Sequence, residues 1–265
     1  MVAAAVLALV FVDYRAFGAN RHFNTRDGAM PDSREPRGIN AEARRAMREN
    51  RHFRVTSDGS PSSMEFRMWG LSSPQGLDPL LPDSYRSLIQ GYNAEFETTR
   101  VFRMDYGNDA MLQTLGVRYA ISYKGAPAGD ARFRLVGPDD SFYRVYEYTE
   151  ARPSYGWEGS GEARPVEWTP ERRVLRVASG GGGRFGIVEQ YYPGWRASVD
   201  GRPAEIARWR GAFQSIQVPA GEHTVAFEYR SRWLGVGAWI SVGALAVLGW
   251  VASASIASRR RRSRR

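Results

Sequence analysis

Few residues in this sequence have the type and spacing to do chemistry. There is no cysteine, so disulfides, thiolate nucleophiles and cysteine-ligated metals are excluded. The three histidines are His22, His52 and His223, and none stands at ligand spacing from another or from a carboxylate pair. No metal site is expected from them. No Gly-x-Ser-x-Gly elbow is present, and SGGGGR (Ser179–Arg184) lacks the Gly-Lys-Ser/Thr of a phosphate loop. It reads as a hairpin turn. Asp78 in QGLDPL and Asp200 in VDGRP are candidate acids, but both sit in turns, where Asp is favoured by its own backbone hydrogen bonding. These residues assign no catalytic group, metal or cofactor.

The aromatics offer a different chemistry. In YYPGWRASVDG (Tyr191–Gly201), Tyr191, Tyr192 and Trp195, with Trp209 downstream, have the composition of a stacking platform for a sugar ring. The same rings also suit the core and rim of a β-domain. Alternation from Trp195 puts Ala197 and Val199 on its face, which favours burial of Trp195. The stretch is thus read as a domain corner bordering an acceptor groove, with Tyr191, Tyr192, Trp195 and Trp209 as the glycan contacts.

The elements around these residues follow from their periodicity. Residues 13–50 form a polar loop and a short helix at Asn40–Asn50, with Asn40 as N-cap. Residues 51–150 read as an α+β domain. HFRVTS (52–57) and EFRMWG (65–70) are its first strands, and LPDSYRSLIQGYN (81–93) is a helix capped by Asp83 or Ser84. NDAMLQTLGVRYAISY (108–123) begins as a helix, breaks at Gly116 and continues as a strand with Val117, Tyr119 and Ile121 on one face. FRLVG and FYRVYEYT form a strand pair. Residues 151–165, rich in Gly, Pro and Ser, read as a linker. Residues 166–232 carry short strands at the spacing of a mainly antiparallel β-sandwich. Asp200-Gly201 is a tight hairpin turn.

Two segments point to a bilayer. Leu234–Ile256 runs for 23 residues without a charge, enough to cross a hydrocarbon core of roughly 30 Å at about 1.5 Å per residue. The Arg-rich tail at 257–265 then reads as cytoplasmic by the positive-inside rule. The first twelve residues are apolar but too few to span, and they lack a positive n-region. They are read as a partial transmembrane helix, with a signal anchor as the alternative. The expected protein therefore sits in the cell membrane with residues 13–232 outside. The net charge is +9, of which six arginines belong to the tail, leaving about +3 for the rest. A nucleic-acid partner is not implied.

The run YYPGWRASVDGRPAEIARWRGAFQSIQVPAGEHTVAFEYR, followed by an apolar helix, resembles the C-terminal end of bacterial YfhO-like membrane proteins. The matching residues are Tyr192–Trp195, Ala197, Val199–Gly201, Gly211–Phe213, Pro219–Gly221, His223 and Val225. Upstream, LQTLGVRYAISY and RVYEYTEARPSYGW resemble family segments in the same order. The resemblance implies a glycosyltransferase-type membrane protein that uses a polyprenyl-phosphate-linked sugar. In that architecture the catalytic acid belongs to an early extracytoplasmic loop, so no catalytic residue carries over to this chain. The implied role is glycan or acceptor recognition beside a multi-spanning module, with the bilayer, that module and a cell-envelope glycan as partners. A non-enzymatic envelope β-sandwich that binds partners or glycans is the alternative.

Overall fold

The computed structural model describes residues 38–58, 63–76, 81–96, 102–123, 127, 131–139 and 141–262. The expected partial helix at 1–12, most of the following loop, His22 and Asp78 lie outside the described residues.

The first region is a four-stranded sheet with helices on both faces. Its strands are β1 (Arg54–Ser57), β2 (Val117–Ser122), β3 (Phe133–Leu135) and β4 (Arg144–Tyr148), in the order β1-β2-β4-β3. Only the β1–β2 pair is parallel. Helices α1 (Ala41–Glu49) and α2 (Ser63–Met68) cover one face, packing Ala43, Met47 and Phe66 against Val55, Tyr119, Ile121 and Val145. Helices α3 (Asp83–Gln90) and α4 (Asp109–Thr114) cover the other, with Tyr85, Ile89, Met111 and Leu112 over Ala120, Tyr146 and Tyr148.

Local chemistry explains these elements. Asn40 caps α1, its side-chain oxygen accepting from the Ala43 amide at 2.7 Å. Its amide nitrogen also donates to the Val136 carbonyl at 3.0 Å, tying the helix to the end of β3. Asn40→Ala removes both bonds and is expected to cost about 1–2 kcal/mol, read as a lower urea midpoint at unchanged slope. Asn108 caps α4 in the same way, through the Met111 amide. At α3 the expected Asp83 or Ser84 cap is absent, because the cap position is Pro82, which makes no side-chain bond.

Two further expectations in this region are corrected. EFRMWG is helix, not strand: the Trp69 amide donates to the Glu65 carbonyl at 3.0 Å, and Phe66 alone of its apolar residues is fully buried while Met68 is exposed. In β2, Val117 leaves the face of Tyr119 and Ile121 and joins the opposite core. The register shift between Arg54 and Val55 is the cause, since it inserts one extra β2 residue at Arg118 and resets the alternation.

The second region is a sandwich. One sheet has five strands in the order β10-β9-β13-β7-β6, and the other has four in the order β11-β12-β8-β5. The ranges are β5 Tyr155–Trp157, β6 Glu162–Trp168, β7 Arg172–Ser179, β8 Gly183–Gln190, β9 Trp195–Val199, β10 Arg202–Ala204, β11 Ala207–Trp209, β12 Phe213–Val218 and β13 Gly221–Tyr229. Every pairing among them is antiparallel. Leu175, Val177, Phe185, Ile187, Ile216, Val218, Val225 and Phe227 fill the space between the sheets. The segment AEIARW (204–209) does not run as one strand: β10 and β11 belong to different sheets, so the chain crosses the sandwich at Glu205-Ile206.

The stretch read as a linker, 151–165, contains β5 and the start of β6. The two regions also share one core. Val188, Trp209, Ala212 and Phe213, from the outer face of the four-stranded sheet, pack with Tyr85, Met111 and Leu112. The Val188 amide donates to the Ser154 carbonyl at 2.7 Å, and the Arg54 guanidinium donates to the Val188 carbonyl.

Helix α5 (Arg232–Arg262) leaves the sandwich directly after β13. Its described side chains, 235–250, are exposed all round, including Trp239, Ile240, Leu245 and Trp250. Among the described residues no helix is both long and apolar enough to cross a membrane; for α5 those side chains number sixteen.

Candidate functional site

The four aromatic residues singled out as a platform do not lie together. Tyr191 and Tyr192 are exposed, at 39% and 55%. Trp195 is half-buried at the start of β9, packed against the sandwich core on the face of Ala197 and Val199. Trp209 is only 2% exposed and belongs to the core that joins the two regions. A ring with no free face cannot stack on a ligand, so the surface corner consists of Tyr191, Tyr192 and Trp195.

The backbone between β8 and β9 builds this corner. The Tyr191 amide donates to the Ala212 carbonyl at 2.8 Å, anchoring the chain as it leaves β8. Pro193-Gly194 then reverses it, and Gly194 has φ +109, where a side chain would be strained. A Cβ at Gly194 would also press on the Tyr229 ring. Without it, the Arg230 amide reaches the Gly194 carbonyl at 2.9 Å and the Trp195 and Tyr229 rings sit 5.6 Å apart. The Arg208 guanidinium lies 5.2 Å from the Tyr191 ring centre, a cation–π contact.

Beside these residues runs an open groove of about 560 Å³, within the size range of small-molecule sites. Tyr191, Tyr192, Trp195, Arg196, Pro203 and Ile206 line it. Aromatic faces, a guanidinium and an aliphatic wall can stack on the apolar face of a sugar and hydrogen-bond its hydroxyls.

A second groove, of ≈ 480 Å³, lies at the other end of β13 and holds the residues the sequence left as turn and strand. Asp200 and Gly201 both have positive φ, as a two-residue primed hairpin turn requires. The Asp200 carboxylate accepts from the Thr224 amide and from His223 Nδ1, each at 2.7 Å. His223 Nε2 faces the Ala220 carbonyl at 3.3 Å. Both ring nitrogens thus point at acceptors. The Asp200 bond first, helped by the Ala220 carbonyl, raises the imidazole above its ordinary pKa. Asp200 moves the other way, held below the usual carboxylate range chiefly by His223. A carboxylate so engaged fastens the β9–β10 turn to β13. Sequence reasoning placed Asp200 in its turn but missed His223 as its partner, because 23 residues separate them in the chain.

His52 sits between the two regions, with ring centres 4.6 Å from Phe53 and 5.8 Å from Tyr155. Burial, and then the Arg118 charge, lower its pKa. Among the described residues no group of three or more His, Asp or Glu could hold a metal.

No curated protein and no solved structure matches this chain. A family model does, described as bacterial membrane protein YfhO, over residues 190–241. That span begins at the last residue of β8 and takes in the aromatic corner, β9 to β13 and the first third of α5. Over this segment the chain is similar to the YfhO family of bacterial membrane proteins.

Proposed function

We propose that this chain is a membrane-anchored extracytoplasmic portion of a YfhO-like, glycosyltransferase-type protein. In this reading its sandwich supports recognition of a glycan or acceptor, and the transfer chemistry belongs to a multi-spanning module. The observation that carries the proposal is the continuous run from the aromatic corner through β13 into α5, the run that the family model covers.

The helix supports the anchoring. Trp239, Ile240, Leu245 and Trp250 are each more than 65% exposed, on a helix whose described side chains are all exposed. Water gives such a surface no compensation, whereas a bilayer buries it on every side. Thirty-one residues make a rod of about 46 Å, longer than the roughly 30 Å of hydrocarbon it has to cross. Arg259–Arg262 close its far end, and cationic ends stay cytoplasmic. The sandwich then lies outside. Glycan contact falls to Tyr191, Tyr192 and Trp195, whose groove is open to solvent.

The test is topological. A reporter fused after Arg265 should be active only when the cytoplasm activates it, and one inserted within Gly180–Gly183 only outside. The chain should also resist extraction from membranes by alkaline carbonate. A soluble chain, or the opposite reporter pattern, sinks the reading.

A further inference from the structure

We propose that the Tyr191–Trp195 corner is a second membrane contact, resting in the headgroup layer beside the point where α5 enters the bilayer. This rests on the anchoring proposed above, and adds to it a fixed seat of the sandwich on the lipid surface, so that the corner's groove would meet a glycan at headgroup level rather than in open solvent.

The chain path sets the reach. Trp195 pairs with Tyr229 in the β9–β13 ladder, and the Gly194 carbonyl holds the Arg230 amide. α5 begins at Arg232, three residues after Tyr229. Three extended residues span at most about 10 Å. The headgroup region on one side of a bilayer is about 5–8 Å thick. A corner fastened to Tyr229 and Arg230 is therefore held within a few ångströms of the headgroup layer once α5 is inserted, unless the sandwich tilts to lift that edge.

The composition suits the depth. Tyr and Trp carry an apolar body and a polar tip, and they collect where hydrocarbon meets water. Tyr192 is exposed at 55%, and Pro203 and Ile206 extend the apolar wall beside it. Arg196 lines the groove and Arg208 and Arg230 flank it, cations that fit an anionic lipid surface. Glu228, the nearest acid on β13, is already engaged by Arg172 at 2.9 Å. The opposite end of the sandwich differs. Glu162, Asp200 and Glu222 stand there with Arg164 and Arg176, about 20 Å further along β13. One end of the sandwich thus suits a lipid surface and the other does not.

The absence of cysteine makes a clean labelling experiment available. Single-cysteine variants Tyr192→Cys, Glu222→Cys and Leu245→Cys of the full chain are labelled with an environment-sensitive fluorophore. They are reconstituted in phosphatidylcholine vesicles containing phosphatidylglycerol, with nitroxide placed either on the headgroup or deep in the acyl chain. Pro203→Cys supplies a second position on the corner if Tyr192→Cys disturbs it. The label at 192 or 203 should be quenched by headgroup nitroxide at least threefold more than the label at 222, and the label at 245 by acyl-chain nitroxide. If 245 is quenched but the corner labels match 222, this proposal is overturned and the anchor stands. If 245 is not quenched, the anchor fails and the corner's role fails with it.

Discussion

Trp209→Ala should cost about 3–5 kcal/mol of folding free energy, the range for emptying a buried aromatic site. Trp209 is 2% exposed, in the core that α3, α4 and the four-stranded sandwich sheet build together. Its ring lies on Gly186 of β8, where any Cβ would fall inside the ring's van der Waals envelope. Gly186→Val therefore attacks the same contact from the other side, by overpacking, and should destabilise by at least about 1–3 kcal/mol. Because the two residues touch, the double variant should cost less than the sum of the two. Urea unfolding of all three, read by circular dichroism, checks this. Tyr192→Ala is the control, at a surface position expected to stay within about 0.5 kcal/mol of the parent. If Trp209→Ala folds as well as Tyr192→Ala, the ring is not the keystone described above.

The second large effect concerns the boundary between the regions. A fragment of residues 155–231 retains all nine strands of the sandwich, yet it uncovers Val188, Trp209, Ala212 and Phe213. It also leaves the Val188 amide and carbonyl without Ser154 and Arg54. Each large side chain returned to water forfeits about 1.5–3 kcal/mol, so Val188, Trp209 and Phe213 together rival the whole stability of a small domain. The fragment is expected to aggregate or to bind a hydrophobic dye. Residues 38–231 should unfold in one transition when Trp69 in the first region and the sandwich tryptophans are compared by separate probes. A fragment that is monomeric and melts cooperatively would show that the sandwich is autonomous after all.

Those two expectations mark where the sequence was readable. Local signals were legible: Asn40 caps its helix, Asp200-Gly201 turns its hairpin, and the strands β7, β8, β9, β12 and β13 follow the runs between turn residues. Each depends on a few neighbouring residues. What stayed hidden is non-local. Trp209 ends a three-residue strand, and nothing within that strand says that α3 and α4 will cover it. The 151–165 stretch looks like a linker because it is rich in glycine, but Gly161 is there for closeness. A side chain at that position would strike Trp157 and the Ala178 carbonyl. EFRMWG alternates as a strand does, and only the burial of Phe66 alone, beneath one helical turn, decides against it. At the corner, the sequence named Tyr191, Tyr192 and Trp195 by type. That Gly194 lets Tyr229 and Arg230 close on them could not be seen, since the contacts span 35 residues and more.

β13 deserves a mechanical reading as well. It is an inner strand, paired through eight positions with β7 and through five with β9, and its last residues lead straight into α5. Any pull along the helix, from lateral tension in a bilayer or from a moving neighbour, would run down the axis of that strand. Both ladders would then be loaded in shear, with their hydrogen bonds strained together, and neither would open like a zipper from one end. The strand that joins the sandwich to the helix is thereby built as a tether, passing force into the five-stranded sheet before any loop has to carry it.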